Sequence, residues 1–329
     1  MISIICPTYN EEKYIDQCIQ SILQQDYPKD DLEIFFVDGN SNDKTQEIIK
    51  KYCVKYDFIH LLVNPYKIVP YAMNIGIKAS KGEIIIRIDA HSLYSKNYFS
   101  TLVEYLKKLE ADNVGAVCKT DVLHKTNKTL AIREVLTNKY GVGNSFFRTG
   151  INHVAQVDAV PFGCWKRSVF EKYGLFNTNL VRNQDIELSK RILRGGGKIY
   201  LVPDTYCTYF ARETYKALAK NNFGNGKWTM LTVYYTRMFS SLSFRHFVPI
   251  IFLLSLIIPL LLGMIWCQFI FFSVALFFFY IGIIGVICGK LSLKKKLSFF
   301  HLLCSFLVLH FSYGWGSMSG LLKLPFLKK

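Results

Sequence analysis

Residues 247–289 form a run of 43 residues without one charged side chain, and no other feature limits so strongly what this chain can fold into. A helix needs about 20 apolar residues to cross the ~30 Å hydrocarbon core of a bilayer, so the run is long enough for two crossings. Trp266-Cys267-Gln268 interrupts it near its middle. The pattern predicts a membrane hairpin with helices over 247–266 and 269–288. A single buried core helix is the soluble alternative, and the length of the uncharged run argues against it.

Charge divides the chain at the same place. Residues 1–213 carry 28 basic and 24 acidic side chains, whereas residues 214–329 carry 12 basic and no acidic ones. The basic excess sits with the most apolar segments, which points to an anionic lipid surface as partner. No stacking or groove-reading motif accompanies it, so nucleic acid is not expected as a partner. Lys290, Lys294, Lys295 and Lys296 follow the hairpin and belong on the cytoplasmic side by the positive-inside rule. A third apolar stretch, 299–322, ends in Lys323, Lys328 and Lys329; it is expected to be a third membrane-embedded helix, its sidedness open. The nine cysteines are scattered without a C-x-x-C pair, so neither a disulfide framework nor a zinc site is expected. Met1 leads straight into the strand-like Ile2-Ser3-Ile4-Ile5-Cys6 without a basic leader, and the first half of the chain is expected to face the cytoplasm.

That first half alternates strand and helix. Short β-branched or aromatic runs at 2–6, 32–37, 58–63, 84–88 and 114–118 read as buried strands, and helical spacing of apolar residues recurs at 11–25, 43–56, 71–80 and 97–110. Such repetition predicts an α/β fold with a mostly parallel sheet between helices and ligands at the carboxyl ends of the strands. Beyond residue 120 the pattern loosens, with helices expected near 129–140, 166–173 and 185–193 and a strand at 198–202. The expected division is a catalytic domain over 1–211, an amphipathic juxtamembrane segment over 212–246 and a membrane domain over 247–329.

Three strand ends and one helix start carry the chemistry. Pro7-Thr8-Tyr9-Asn10-Glu11-Glu12 follows the first strand, a polar turn that suits either a nucleotide or a plain acidic helix start. Asp38 closes the second strand and is placed to accept a hydrogen bond from a base N–H, while Asp43 reads as a helix cap. Arg87-Ile88-Asp89-Ala90-His91 closes the fourth. On an extended chain Asp89 and His91 point to the same side, a pairing that suits one divalent cation, Mg2+ or Mn2+. Asn183-Gln184-Asp185-Ile186-Glu187-Leu188 opens a helix; Asp185 there is either a dipole-complementing carboxylate or a general base.

Taken in order, Pro7 to Glu12, Val37-Asp38-Gly39, Ala72-Met73-Asn74-Ile75-Gly76, Arg87 to His91, Pro161-Phe162-Gly163 and Asn183 to Leu188 resemble the family-2 glycosyltransferases with the GT-A fold. Within them, the resemblance is to the membrane-associated group of succinoglycan-type exopolysaccharide assembly. The resemblance implies that Pro7, Tyr9 and Glu11 hold the nucleotide, that Asp38 contacts its base, and that Asp89 and His91 bind the donor diphosphate through the metal. It implies that Asp185 is the catalytic base, with Gln184 in place of a usual glutamate. Gly224-Asn225-Gly226-Lys227-Trp228 stands where processive members carry Gln-x-x-Arg-Trp; Lys227 and Trp228 are the acceptor-side candidates, and the lost glutamine argues against long processive synthesis.

The expected activity is therefore an inverting, metal-dependent transfer of one sugar from a nucleotide-diphosphate sugar, a UDP-sugar above all, to a membrane lipid-linked saccharide. The expected place is the cytoplasmic face of the inner or plasma membrane, in a multi-pass protein alongside other polysaccharide-assembly enzymes. The alternatives are a polyprenyl-phosphate glycosyltransferase, which differs in acceptor, and a non-catalytic membrane scaffold of an export complex. Asp38, Asp89, His91 and Asp185 together argue against the scaffold.

Overall fold

The structure, a computed structural model, describes residues 1–237, 239 and 242–327. Met238, Ser240 and Ser241 of the expected juxtamembrane segment, and Lys328 and Lys329 of the expected terminal basic cluster, lie outside the described residues. The chain begins with β1 (Ile2–Thr8), α1 (Ile15–Leu23), β2 (Leu32–Asp38), α2 (Thr45–Lys55), β3 (Ile59–Val63), α3 (Val69–Ala79), β4 (Ile84–Arg87), β5 (Ser92–Tyr94), α4 (Tyr98–Lys108) and β6 (Asn113–Asp121). It continues with α5 (Asn127–Leu136), α6 (Lys139–Val142), α7 (Phe146–Thr149), β7 (Ala155–Gln156), β8 (Cys164–Lys166), α8 (Arg167–Tyr173), α9 (Gln184–Arg194) and β9 (Ile199–Phe210). Four long helices follow: α10 (Tyr215–Thr236), α11 (Val248–Leu262), α12 (Gln268–Lys295) and α13 (Phe299–Lys323). Packing divides these elements into two compact units, Met1–Lys119 with Phe146–Phe210, and Thr120–Ser145 with the chain from Ala211 onward.

The first unit is built on one sheet in the order β3-β2-β1-β4-β8-β6-β9-β5, with β7 on β9. β1 pairs in parallel with β2 and β4, and β2 with β3. The parallel half thus matches the strand–helix repetition of the sequence. Beyond β4 the pairing turns antiparallel, β8 joining both β4 and β6 and β9 joining β5. Side chains alternate across the strands and feed two cores. Ile2, Ile4, Cys6, Ile34, Phe36, Ile86 and Ile88 pack with Ile15, Ile19 and Ile22 of α1 and Phe99 and Leu102 of α4. Ile5, Phe35, Val37 and Ile85 face the other way, against Met73 and Ile77 of α3 and Leu188 and Ile192 of α9. Leu188 and Ile192 are fully buried, and truncating either to alanine would cost about 2–5 kcal/mol. That burial fixes how α9 presents its first turn to the sheet.

The second unit is helical. Along α10 and α13 the backbones approach so closely that a Cβ on Gly316 would lie 2.0 Å from the Phe223 carbonyl oxygen, and one on Gly226 2.0 Å from that of Tyr313. Only glycine fits either place. Glu134 of α5, almost fully buried, receives Lys295 at the end of α12 at 2.7 and 2.8 Å. Two helices, α12 and the run from Phe299 to Phe326, are long and apolar enough to cross a membrane. α12 leaves large apolar side chains outward, Phe271 72% and Phe278 66% exposed.

The hairpin expectation needs correction at both helices. The helix expected over 247–266 is α11, 15 residues long with Pro259 inside it, and at 1.5 Å per residue it reaches only about 22 Å, short of a bilayer core. The helix expected to stop at residue 288 continues through Lys290 and Lys294 to Lys295, because lysine propagates a helix readily and the charges end its apolar run without ending its backbone pattern. The helix expected over 129–140 is broken into α5 and α6, where the Asn138 side chain accepts the Tyr140 N–H and starts a new turn.

Candidate active site

The turns after β1 and β2 are cross-linked. Asn10 and Asn40 both sit in the left-handed region, at φ 56° and 62°, a conformation asparagine tolerates better than other side chains. The Asn10 N–H donates to Ser41 Oγ at 2.8 Å, Asn10 Oδ1 accepts the Asn42 N–H at 3.0 Å, and the Glu11 N–H donates to Thr45 Oγ1 at 2.8 Å. The two strand ends thereby form one platform. Pro7 is buried within β1 in register with Val37. Tyr9 lies on the platform's surface, 45% exposed, with Lys67 Nζ 6.0 Å from its ring centroid.

Asp38 is fully buried. Its Oδ1 accepts the Ser41 N–H at 2.8 Å and Gln46 Nε2 at 2.7 Å; its Oδ2 accepts Ser41 Oγ at 2.6 Å and, more weakly, Thr8 Oγ1 at 3.4 Å. A carboxylate offers about four acceptor positions, and protein donors fill them here. The sequence placed Asp38 against a nucleotide base; in the structure its carboxylate organises its own turn.

Asp89 and His91 follow β4. The Tyr94 hydroxyl accepts the Asp89 N–H at 2.6 Å and donates to the Asp89 carbonyl at 3.1 Å, fixing the backbone there. His91 Nδ1 lies 3.0 Å from Glu11 Oε1, and its Nε2 lies 4.0 Å from Asp89 Oδ2. Glu11, expected at the nucleotide, is thus tied to the imidazole. The rings of Tyr14 and Tyr209 meet His91 edge-on at 6.2 and 5.0 Å. Among the described residues no group of three or more His, Cys, Asp or Glu could hold a metal ion. Asp89 and His91 nevertheless fit a two-ligand site: donors about 2.1 Å from one cation can span their separation. Holding Nδ1 with a carboxylate is how ligating histidines are commonly oriented.

Asp185 stands in the first turn of α9, behind the left-handed Asn183 at φ 63°. It lies one turn before Leu188 and two before Ile192, so the burial of that apolar stripe directs it to the sheet. There the Arg87 guanidinium pairs with it through Nη1 and Oδ1. The Asp185 side chain is three-quarters buried, and burial raises its carboxyl above the ordinary carboxylate range against the opposing pull of Arg87. Of two other carboxylates, Glu187 is held by Arg191 at 2.7 and 2.9 Å, and Asp158 lies 3.8 Å from Lys190. Lys227 and Trp228 lie in α10 of the second unit, the Trp228 ring stacked on Tyr235.

Arg87 carries no role in the sequence motifs. Its signal was present: a charged residue closing the apolar strand Ile84-Ile85-Ile86. Tyr14, Tyr94 and Tyr209 were missed too, and nothing local marks them.

The sequence profile of the family described as Glycosyl transferase family 2 matches residues 3–174. A dolichyl N-acetyl-alpha-D-glucosaminyl phosphate 3-beta-D-2,3-diacetamido-2,3-dideoxy-beta-D-glucuronosyltransferase of Methanococcus voltae is 28% identical over 231 residues, covering 68% of this chain and 71% of its own. Succinoglycan biosynthesis protein ExoA of Rhizobium meliloti (strain 1021) is 27% identical over 227 residues, covering 68% and 67%. Among solved structures, mannosyltransferase PcManGT from Pyrobaculum calidifontis, in complex with GDP-Man and Mn2+, superposes with a TM-score of 0.61 at 15% identity over 97% of this chain and 86% of that one. The likeness establishes the fold, which is GT-A.

Proposed function

Because the chain belongs to glycosyl transferase family 2, we propose that it moves one sugar, with inversion, from a nucleotide-diphosphate sugar to a membrane lipid-linked saccharide in exopolysaccharide or cell-surface glycan assembly. The observation that carries this reading is the placement of the Tyr9–Glu11 platform, the Asp89–His91 pair and Asp185 at carboxyl strand ends and the facing helix start of one sheet. That is where parallel α/β sheets bind ligands.

In this reading Pro7 shapes the platform and the exposed Tyr9 ring receives the nucleotide, with UDP as the expected carrier. Asp38 acts on the nucleotide through the turn it braces. Asp89 and His91 hold Mg2+ or Mn2+, and Glu11 orients His91 through Nδ1. A cation held there would supply positive charge where the departing diphosphate develops negative charge. Asp185 takes the proton of the acceptor hydroxyl as its oxygen bonds to the sugar C1 and the bond from C1 to the diphosphate breaks on the opposite face. An α-linked donor gives a β-linked product. Arg87 favours the ionised carboxylate against the burial that raises its pKa. The complex of the Pyrobaculum protein with GDP-Man and Mn2+ supports a nucleotide-sugar donor with a divalent cation. The acceptor named for the Methanococcus relative supports a lipid-linked saccharide.

The second unit supplies membrane attachment in the same reading. α12 and α13 enter the inner or plasma membrane and the first unit works at its cytoplasmic face, where other assembly enzymes deliver and remove the lipid-linked saccharide. Lys227 and Trp228 of α10 serve the acceptor. The absence of acidic residues after Glu213 favours an anionic lipid surface. The test is incubation of membranes containing the protein with a panel of radiolabelled nucleotide sugars and Mn2+. Label from one donor should enter the organic-extractable fraction only when the protein is present; label in no lipid fraction from any donor overturns the reading.

A further inference from the structure

Arg87 is a charge that its strand has no use for. It ends Ile84-Ile85-Ile86-Arg87, only 6% of its side chain is exposed, and burying a guanidinium costs several kcal/mol, on the order of magnitude of a domain's net stability, unless a partner offsets it. Alternation puts Arg87 on the same side as Ile85, the side that receives Leu188 and Ile192 of α9. The partner it meets there is Asp185, 98 residues away in sequence. The main chain at Arg87 is pinned, its N–H donating to the Gly163 carbonyl at 3.0 Å, and the Phe162 ring lies 5.8 Å from the guanidinium carbon. The guanidinium is therefore fixed by strand, ring and carboxylate together. Asp185 by contrast is held at one point: among the described residues its carboxylate receives this bond on Oδ1, and a quarter of the side chain remains exposed.

We propose that Arg87 is a positioning residue of the transfer reaction: by holding Oδ1 of Asp185 it fixes the carboxylate's rotation and leaves Oδ2 as the oxygen that takes the acceptor proton. The proposal rests on the reading of Asp185 as the base. A pair made only for stability would have no need of a partly exposed carboxylate at the mouth of the sheet, since the same charge is balanced more fully by a buried, multiply bonded carboxylate such as that of Glu187 with Arg191. A rigid fork also suits this task in a way a lysine cannot match, because the guanidinium's direction is set by its plane.

The test compares wild type, Arg87→Met, Arg87→Lys, Asp185→Asn and the double variant Arg87→Met with Asp185→Asn in detergent. Each is measured for kcat, for donor affinity by calorimetry and for melting temperature. Arg87→Met should lower kcat at least about tenfold with donor affinity within about threefold of wild type, Arg87→Lys should recover part of the loss, and the double variant should be no slower than Asp185→Asn alone. Wild-type kcat in Arg87→Met overturns the proposal, and so do losses that multiply in the double variant, since Arg87 would then act independently of Asp185. Where Arg87→Met does not fold, Arg87→Lys decides: a kcat loss of about threefold or more at unchanged donor affinity supports the proposal, and wild-type kcat overturns it. The parent reading fails separately. An Asp185→Asn variant that transfers sugar at nearly the wild-type rate removes the base assignment, and the role of Arg87 with it, whatever the Arg87 variants do.

Discussion

Replacing Asp38 by alanine removes the acceptor of four protein donors at once. Two of them, the Ser41 N–H and the Gln46 amide, have no freedom to become acceptors, and a buried donor left without a partner costs about 1–3 kcal/mol. The other two are the Ser41 and Thr8 hydroxyls, which can rotate to new partners at small cost. Gln46 is half-buried and reaches water, which trims its share. Asp38→Ala should therefore destabilise the first unit by about 2–5 kcal/mol. Asparagine behaves differently: its carbonyl still accepts the two N–H donors and its amide can donate to the two hydroxyls, so Asp38→Asn should lose about 1–2 kcal/mol, the difference between charged and neutral hydrogen bonds. For a unit of this size 1 kcal/mol moves the melting temperature by about 2–4 °C. Thermal melting of the detergent-solubilised protein should thus fall by about 4–20 °C for alanine and about 2–8 °C for asparagine. An alanine variant that melts within about 2 °C of wild type, or an asparagine variant that melts below alanine, would refute the argument that this carboxylate braces its turn.

Three further outcomes follow from the same geometry. The raised carboxyl of Asp185 must be ionised to act as a base, so transfer should decline as pH falls through that raised pKa, at a higher pH than an ordinary aspartate near 3.9 would give; a kcat profile flat down to about pH 4 contradicts this. EDTA should abolish transfer and Mn2+ or Mg2+ restore it in wild type, while Asp89→Ala should stay inactive at any metal concentration; full activity in EDTA excludes the cation site. Gly316→Ala sets a Cβ 2.0 Å from the Phe223 carbonyl, and two helix backbones must part to admit it, so the second unit should lose about 1–3 kcal/mol, read as a lower melting temperature and faster proteolysis; an unchanged melt counts against the close helix contact.

The parallel half of the sheet was legible because β1, β2, β3 and β4 are short β-branched runs each followed by a helical period, a signal that lives within a dozen residues. The places of Asp89 and His91 after a strand and of Asp185 at a helix start were legible for a related reason: a strand end and a helix start are local events. What escaped was pairing at long range. Glu11 meets His91 across 80 residues and Arg87 meets Asp185 across 98, and nothing in either segment names its partner. The occupancy of Asp38 was hidden because a strand-terminal aspartate looks the same whether its lone pairs are open or filled by Ser41, Gln46 and Thr8. Helix ends in the apolar region failed for another reason. Hydropathy reports where residues prefer to lie, while the end of α11 near Pro259 and the continuation of α12 past Lys290 are decided by backbone hydrogen bonding.

The account stands most directly on what Asp185 does, and one paired measurement addresses it. In Asp185→Asn the side chain keeps its shape and its place at the start of α9 and loses its proton affinity. Donor affinity by calorimetry and sugar transfer to membrane acceptor are read on the same preparation beside wild type. The account predicts nearly intact donor affinity with transfer lowered at least about a hundredfold, the scale of a lost general base. Transfer within about threefold of wild type would contradict it, and would mean that Asp185 serves only the fold.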